Sequence, residues 1–130
     1  MKNEYEQAAE ILEKAADGFE SGRYGWTQGM ARLRKSSQEV VAYCSIGAMY
    51  YEAGLYKEGH GLPQRMLPAF NQAEAQLSEV VGADQQYITL RDSRIMNMSS
   101  IPQWNDLPGR TKEEVIDKMK EAAKELRNKA

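Results

Sequence analysis

Cysteine and histidine are almost missing from this sequence, which contains one of each among its 130 residues. The single thiol, that of Cys44, cannot form a disulfide within the chain, so the fold does not depend on an oxidising compartment. One cysteine and one histidine are too few for the usual structural zinc site. Glycine-rich dinucleotide loops, Walker loops and calcium-binding loops are missing as well. The sequence therefore predicts neither a metal site nor a cofactor.

An excess of charge of one sign is missing too. The chain has 17 Lys and Arg against 19 Asp and Glu, which gives a net charge of −2 at pH 7. Non-specific binding to nucleic acid draws its affinity from a concentrated positive field, so this balance disfavours a nucleic-acid partner. A short basic cluster at Arg32, Arg34 and Lys35 keeps a nucleic-acid-binding regulator among the alternatives.

Long hydrophobic runs are the third feature that the sequence lacks. The longest stretch without a charged residue, 40–51, is too short to cross a bilayer, which predicts no membrane-spanning segment. Residues 1–7 contain two glutamates and no apolar run, so we expect no signal peptide. Together with the lone thiol and the modest length, these features predict a cytoplasmic protein in which residues 1–130 form a single domain.

Two clear helical patterns lie at the ends of the sequence. Apolar residues recur every three or four positions over residues 5–19 and again over residues 115–126, which predicts two amphipathic helices. Gly18 and Gly22 are candidate ends of the first helix. Thr111-Lys112-Glu113-Glu114 has the spacing of a capping box and predicts the start of the last helix.

The middle of the sequence predicts further helices. Ser36 and Glu39 have capping-box spacing, and the apolar positions that follow predict a buried second helix that ends at Gly54. A third helix is predicted to begin near Pro68 and to end at Gly82. Residues 83–103 fit either a helix or a short strand followed by a helix, and residues 104–109 have the Pro-Gly chemistry of a turn.

Residues 23–35 have a different character from the helical patterns. They show no helical period, contain two glycines, and include aromatic residues and a threonine that favour an extended chain. We therefore predict a mainly α fold, a compact bundle of about four to five helices with a short extended or β-hairpin arm near residues 23–35.

Cys44 is the candidate nucleophile, and His60 is the only histidine that could activate it. The predicted second helix places this thiol on a buried apolar face, where a cysteine is usually an inert small hydrophobic residue. We interpret Cys44 as a core residue. An enzyme that uses Cys44, or the carboxylates of Asp92 and Asp106, remains the alternative.

Trp26 and Trp104 each lie in a segment with glycine or proline rather than in a helical pattern. A tryptophan in such a place either anchors a loop to the core or belongs to a recognition surface. Asn105 and Asp106 have the chemistry to bond backbone groups of their own turn. The functional alternative is a small polar pocket beside Trp104.

The basic residues of the arm have two interpretations. On a strand, Arg32 and Arg34 share one face, which could grip an anionic group or could simply protect an edge from aggregation. The expected partners are a host protein or a small anionic ligand, and a homo-oligomer is compatible with the sequence. The candidate binding residues are Trp26, Gln28, Arg32, Arg34, Trp104, Asn105, Asp106 and Arg110.

Several short motifs, taken in order, resemble those of a known family. The chain is similar to an uncharacterised family of small proteins found in tailed phages and in their bacterial, often actinobacterial, hosts. The resemblance covers most of the chain, although residues 56–68 are longer and less apolar here than in the actinobacterial members. The motifs that carry it are Trp26-Thr27-Gln28-Gly29, Cys44-Ser45-Ile46-Gly47-Ala48, Trp104-Asn105-Asp106-Leu107-Pro108-Gly109-Arg110-Thr111 and Glu114-Val115-Ile116.

The resemblance implies a context rather than an activity. It implies a small phage-type accessory protein that acts in the bacterial cytoplasm, and it assigns no catalytic residue. Because no catalytic constellation is apparent either, we expect a non-enzymatic binding protein that acts on a host protein or a small ligand, in host takeover or counter-defence.

Overall fold

Helices dominate the computed structural model, which describes residues 2–36, 39–55, 61–82 and 101–130. A small three-stranded sheet accompanies them, so the predicted mainly α bundle with a short extended arm is confirmed. Among the residues described, every helix is too short or too polar to span a bilayer. The elements are α1 (Glu4–Ser21), β1 (Gly25–Trp26), β2 (Arg32–Arg34), β3 (Val40–Tyr43), α2 (Ser45–Glu52), a 3₁₀ turn (Gln64–Met66), α3 (Leu67–Val81), α4 (Ile101–Asn105) and α5 (Lys112–Lys129).

The terminal helices α1 and α5 pack side by side and form the centre of the bundle. Both present alanines at their buried faces, which lets the two backbones approach closely. The predicted capping box at the start of α5 is confirmed, because Thr111 and Glu114 bond each other's backbone N–H groups. The ion pair between Glu13 and Arg127 lies across the outside of the helix pair.

Gly18 lies inside α1 and does not end it. The helix ends at Gly22, whose φ of +81° is the left-handed conformation that favours glycine. A methyl group on Gly18 would come within 2.2 Å of the Tyr24 ring, so a glycine is required beneath that ring. The Tyr24 hydroxyl in turn donates a 2.7 Å hydrogen bond to the buried carboxylate of Glu52, and burial raises the pKa of Tyr24.

The predicted second helix is wrong over its first half. Residues 40–43 form strand β3, so Ser36 and Glu39 do not start a helix as predicted, and the Glu39 N–H donates to the backbone carbonyl of Ser36. Helix α2 begins only at Ser45, and Cys44 is its N-cap. A short apolar run is consistent with either state, and its adjacent valines favour a strand once neighbouring strands are available on both sides.

The arm is extended as predicted, but residues 23–35 do not form a hairpin by themselves. The strand order is β1-β3-β2, so β3 lies between the two strands of the arm. Gly25 pairs with Ala42 in the parallel direction, and Leu33 pairs with the same Ala42 in the antiparallel direction. The antiparallel pair is therefore made by β2 and β3, and the parallel pair by β1 and β3.

Helix α3 confirms the prediction of a third helix, since it begins beside Pro68 and ends at Gly82. The predicted turn over residues 104–109 is partly wrong, because Trp104 and Asn105 form the end of the short helix α4. Pro102 lies in the first turn of α4, where its missing N–H is not needed. The predictions for residues 83–100 fall outside the described residues, as do His60, Asp92 and residues 56–60 of the segment 56–68.

Candidate functional site

The side chain of Asn105 joins three separate parts of the chain. Its Oδ1 accepts hydrogen bonds from Trp26 Nε1 at 2.6 Å, from the Ser45 N–H at 3.0 Å and from Ser45 Oγ at 2.6 Å. Its Nδ2 donates to the Thr27 carbonyl and to Asp106 Oδ1, both at 3.0 Å. Asn105 is 0% exposed, and a buried amide is tolerated only when it is hydrogen-bonded in this way. We call this set of bonds the Asn105 network.

Residues 27–31 form a loop that further hydrogen bonds hold beside Asn105. We call it the clamped loop. Gln28 Nε2 donates to the carbonyls of Asn105 and Leu107 at 2.9 and 3.2 Å. The Gly29 N–H donates to Asp106 Oδ1 at 2.9 Å. At the other end, the Ala31 carbonyl accepts a 3.0 Å bond from the Cys44 N–H. Polar contacts from the segment after α4 therefore fix the path of this loop.

The expectation that Asn105 and Asp106 bond mainly within their own turn is wrong. Asp106 holds the N–H of Gly29, which lies 77 residues earlier in the chain. Asn105 reaches Trp26 and Ser45, which come from β1 and α2. The short helix α4 ends at Asn105, and from there the Asn105 side chain reaches β1 and the Asp106 side chain reaches the loop that follows β1.

Trp104 and Arg110 support the network from the bundle side. Trp104 is buried, and the Arg110 guanidinium lies 4.3 Å from the centre of its ring in a cation–π contact. Arg110 Nε also donates to the Trp104 carbonyl at 3.1 Å. Its Nη1 bonds Glu114 at 2.7 Å, and this hydrogen bond holds the pKa of Glu114 below its usual value.

A small cleft opens beside the clamped loop. Its volume is about 150 Å³, and its lining is mostly apolar, with Asp106 as the charged residue. Sites for drug-sized ligands are larger, roughly 300 to 1,000 Å³. A cavity of about 150 Å³ holds one benzene ring. The cleft is therefore large enough for a single side chain. It is lined by Gly29, Met30, Ala31, Cys44, Ile46, Pro102 and Asp106.

Cys44 lies at the base of this cleft and is only 3% exposed. Its Sγ accepts a 3.4 Å hydrogen bond from the Gly47 N–H, so the thiol caps the start of α2. The prediction that Cys44 lies within a helix is therefore wrong. Burial raises the pKa of Cys44, and the negative charge of Asp106 acts in the same direction. The backbone N–H groups at the start of α2 oppose this shift without cancelling it.

Gly47 explains why the clamped loop can lie so close to α2. A methyl group at this position would come within 2.0 Å of the Ala31 carbonyl oxygen. Only glycine leaves room for that oxygen, which at the same time accepts the N–H of Cys44. The spacing Cys44-x-x-Gly47 thus combines a cap for α2 with a contact surface for the loop.

Large hydrophobic side chains are partly exposed on the clamped loop and on the sheet. Met30, Leu33 and Val41 are 48%, 39% and 36% exposed, which is unusual for large hydrophobic side chains within the described residues. Residues 25–38 contain three Lys and Arg residues and no Asp or Glu. We call the clamped loop, the cleft and β2 together the arm face.

The structure gathers most of the predicted site residues. Trp26, Gln28, Asn105 and Asp106 meet in or beside the Asn105 network, and Trp104 and Arg110 pack behind it. Arg32 and Arg34 lie on β2, next along the chain from the clamped loop. Sequence reasoning missed Ser45, although a serine inside a long uncharged run signals a buried hydroxyl that needs a partner. It also missed the apolar walls of the cleft at Met30, Ile46 and Pro102.

Fold and site together define a class: a small helical bundle that carries a three-stranded arm, with its loop held by a buried asparagine. The chain belongs to a family of unknown function, DUF6197, whose family model matches residues 3–125. The match spans nearly the whole chain and agrees with the resemblance to an uncharacterised family. A search of curated proteins and a search of solved structures each found no match to this chain.

Proposed function

We propose that this protein is a non-enzymatic binding protein that docks on a partner protein through the arm face. One observation carries the proposal: the buried Asn105 network fixes a loop on which the apolar side chain of Met30 remains about half exposed. A loop that serves only to connect two strands needs no such fastening. A loop that is rigid before binding loses less conformational entropy when a partner docks, which increases affinity.

The size and charge of the cleft favour a protein over a small ligand as the partner. A volume of about 150 Å³ encloses one side chain, whereas a whole metabolite would protrude from it. The Asp106 carboxylate at the cleft would also repel a small anion. A partner protein can use the cleft for one anchoring side chain and the surrounding surface for the rest of the contact.

The chemistry of the same residues disfavours an enzyme. Burial raises the pKa of Cys44, which keeps the sulfur in the less nucleophilic thiol form. The Oδ1 atom of Asp106 already accepts bonds from the Gly29 N–H and from Asn105 Nδ2. We therefore propose structural roles for both the Cys44 thiol and the Asp106 carboxylate.

The biological setting that we propose follows from the motif resemblance. It is that of a phage-type accessory protein that acts on a host protein in the bacterial cytoplasm, as in host takeover or counter-defence. The exposed apolar surface of the arm supports a protein target, since such surface commonly marks a site of association.

The test compares two substitutions that each remove one exposed apolar side chain. Met30→Ser alters the arm face, and Leu67→Ser alters α3, where Leu67 is 44% exposed. Immobilised wild-type protein and both variants are incubated with bacterial lysate, and the retained proteins are identified by mass spectrometry. We expect a partner that is retained by wild type and by Leu67→Ser but lost from Met30→Ser. Identical retention by all three proteins, or no retained protein, would contradict the proposal.

A further inference from the structure

We infer that the partner protein inserts one lysine or arginine side chain into the cleft, with its methylene stem against the apolar lining and its cation beside Asp106. The inference rests on the proposed function and deepens it, because it names the chemistry of the anchoring side chain. It combines the lining of the cleft, the hydrogen bonds of the Asp106 carboxylate and the way in which that carboxylate is held.

The cleft combines apolar contacts with a single negative charge. Met30, Ala31, Ile46 and Pro102 supply most of its apolar lining, and Asp106 is the charged residue. The part of the lining that comes from the described residues contains no Lys or Arg. Lysine and arginine join an apolar stem to a cationic end, so one such side chain satisfies both features of a cleft of about 150 Å³.

The Asp106 carboxylate has an oxygen that can accept a further bond. Within the described part of the chain its side chain makes two hydrogen bonds, from the Gly29 N–H and from Asn105 Nδ2, and both go to Oδ1. Both donors are neutral, so the negative charge remains uncompensated. Arg110 is close in sequence but pairs with Glu114 at 2.7 Å. Because Asp106 is exposed, its Oδ2 can accept a bond from the cation of a partner.

The position of this carboxylate is fixed before a partner arrives. The bond from Gly29, at 2.9 Å, ties Asp106 to the clamped loop, and the bond from Asn105, at 3.0 Å, ties it to the buried Asn105 network. An acceptor that is already in place loses less conformational entropy when a partner binds. A hydrogen bond between a cation and a carboxylate is also roughly twice as strong as one between neutral groups.

Other kinds of anchoring side chain fit the cleft less well. A phenylalanine or leucine would exclude water from the Asp106 carboxylate without providing a bond in its place, and an unpaired charge is costly to desolvate. An acidic side chain would be repelled by the same carboxylate. A small free amine would leave the exposed Met30 side chain uncovered. The occupant to which we commit is therefore a basic side chain of a partner protein.

The positive residues of the arm do not determine the charge at the cleft. Arg32 and Arg34 each already have an interaction within the protein. The backbone N–H of Lys35 donates to the carbonyl of Glu39, which places a carboxylate-bearing residue beside that lysine. None of these residues lines the cleft. The charge next to the anchoring side chain is that of Asp106.

The experiment begins with a displayed library of random peptides that is selected against the immobilised full-length protein. Asp106→Asn is selected in parallel, because it keeps the shape and an oxygen acceptor but removes the charge. Asp117→Asn makes the same change at an exposed position of α5 and is the control. Wild type and Asp117→Asn should enrich a lysine or arginine at one position about tenfold, and Asp106→Asn should not.

The strongest wild-type peptide is then labelled with fluorescein and measured by fluorescence anisotropy. Replacing its basic residue by norleucine keeps an apolar stem and removes the charge. We expect this replacement to weaken binding to wild type and to Asp117→Asn about tenfold, and to change binding to Asp106→Asn less than about twofold. Met30→Ser is a second variant at the cleft and should weaken binding of the unmodified peptide about fivefold. Circular dichroism of every variant shows whether the fold is intact.

The inference is overturned if the selected peptides share an aromatic, aliphatic or acidic residue instead of a basic one. It is also overturned if norleucine weakens binding to wild type and to Asp106→Asn equally, or if wild type enriches no peptide. The lysate experiment separates these failures from that of the proposed function. If it still yields a Met30-dependent partner, only the basic-anchor inference fails, and if it yields none, the proposed function fails as well.

Discussion

The helix pair α1–α5 and the arm are stabilised by different kinds of interaction. The helices bury alanine, leucine and other apolar residues along regular stripes, and their first turns are capped by residues close by in sequence. The arm has only short strands, and the buried amide of Asn105 holds it from a distant part of the chain. Apolar packing tolerates small changes of shape, whereas a fully bonded buried amide tolerates almost none.

The largest effect is expected from Asn105→Ala, which removes the centre of the Asn105 network. Trp26 Nε1, the Ser45 N–H and the Ser45 hydroxyl would all lose their acceptor in a buried place. We expect the free energy of unfolding, measured by urea denaturation, to fall by about 3 to 5 kcal/mol. Asn71→Ala, at an exposed position of α3, is the control and should change it by less than about 0.5 kcal/mol. If Asn105→Ala lowered the free energy of unfolding no more than Asn71→Ala, the arm would not need the Asn105 network.

A somewhat smaller loss is expected from Leu126→Ala in the core of the helix pair. Leu126 is fully buried, and removing its side chain should lower the free energy of unfolding by about 2 to 4 kcal/mol. Leu126→Met, which conserves volume, should recover most of this loss. Asn105→Leu also nearly conserves volume but should remain strongly destabilised, because it cannot accept or donate the bonds. Equal free energies of unfolding for Leu126→Met and Asn105→Leu in urea denaturation would contradict the contrast between apolar packing in the helix pair and hydrogen bonding in the arm.

Gly47→Ala tests the close contact between the arm and α2. The added methyl group would meet the Ala31 carbonyl oxygen, so the clamped loop has to move. We expect a loss of about 2 kcal/mol in the free energy of unfolding, and weaker binding of any partner that uses the arm face. Gly61→Ala is the control, since a methyl group there meets no atom within 4 Å. Equal stability of the two variants would indicate that the loop moves without resistance.

The smallest effect concerns the surface of the helix pair and depends on pH. Hydrogen bonding to Arg127 lowers the pKa of Glu13 below its ordinary value of 4.5, so the pair stabilises the fold above that pH. This contribution is lost as the pH falls through the lowered pKa. Because the Glu13 side chain is 41% exposed, we expect only about 0.5 kcal/mol. Glu13→Gln should therefore flatten the decline of stability below pH 4.5 in urea denaturation, and an unchanged decline would contradict this role of the pair.

The helices could be predicted because their signals are local. The stripe of α1, the capping box at Thr111 and the left-handed glycine at Gly82 each act within a few residues. The boundary between β3 and α2 could not be predicted in the same way. Residues 40–43 become a strand because β1 and β2 flank them, and nothing in their own sequence specifies those neighbours.

The sequence predicted which residues belong to the candidate site better than it predicted how those residues are arranged. Trp26, Gln28, Asn105 and Asp106 are all among the candidate binding residues predicted from the sequence. Their partners were not predicted, because the bond between Trp26 and Asn105 joins positions 79 residues apart. Sequence spacing describes neighbours along a helix or a turn, whereas this contact depends on how α4 packs against the sheet.

Cys44 directly follows the last residue of β3 and is the N-cap of α2, so it alone separates the strand from the helix. At the other end of α2, the buried carboxylate of Glu52 accepts a hydrogen bond from the Tyr24 hydroxyl. A ligand in the cleft would contact Cys44 and Ile46, and therefore the same continuous stretch of backbone that reaches the helical core. By mass action, occupancy of the arm should raise the melting temperature of the entire protein, so thermal shift alone can report engagement without any label on the arm.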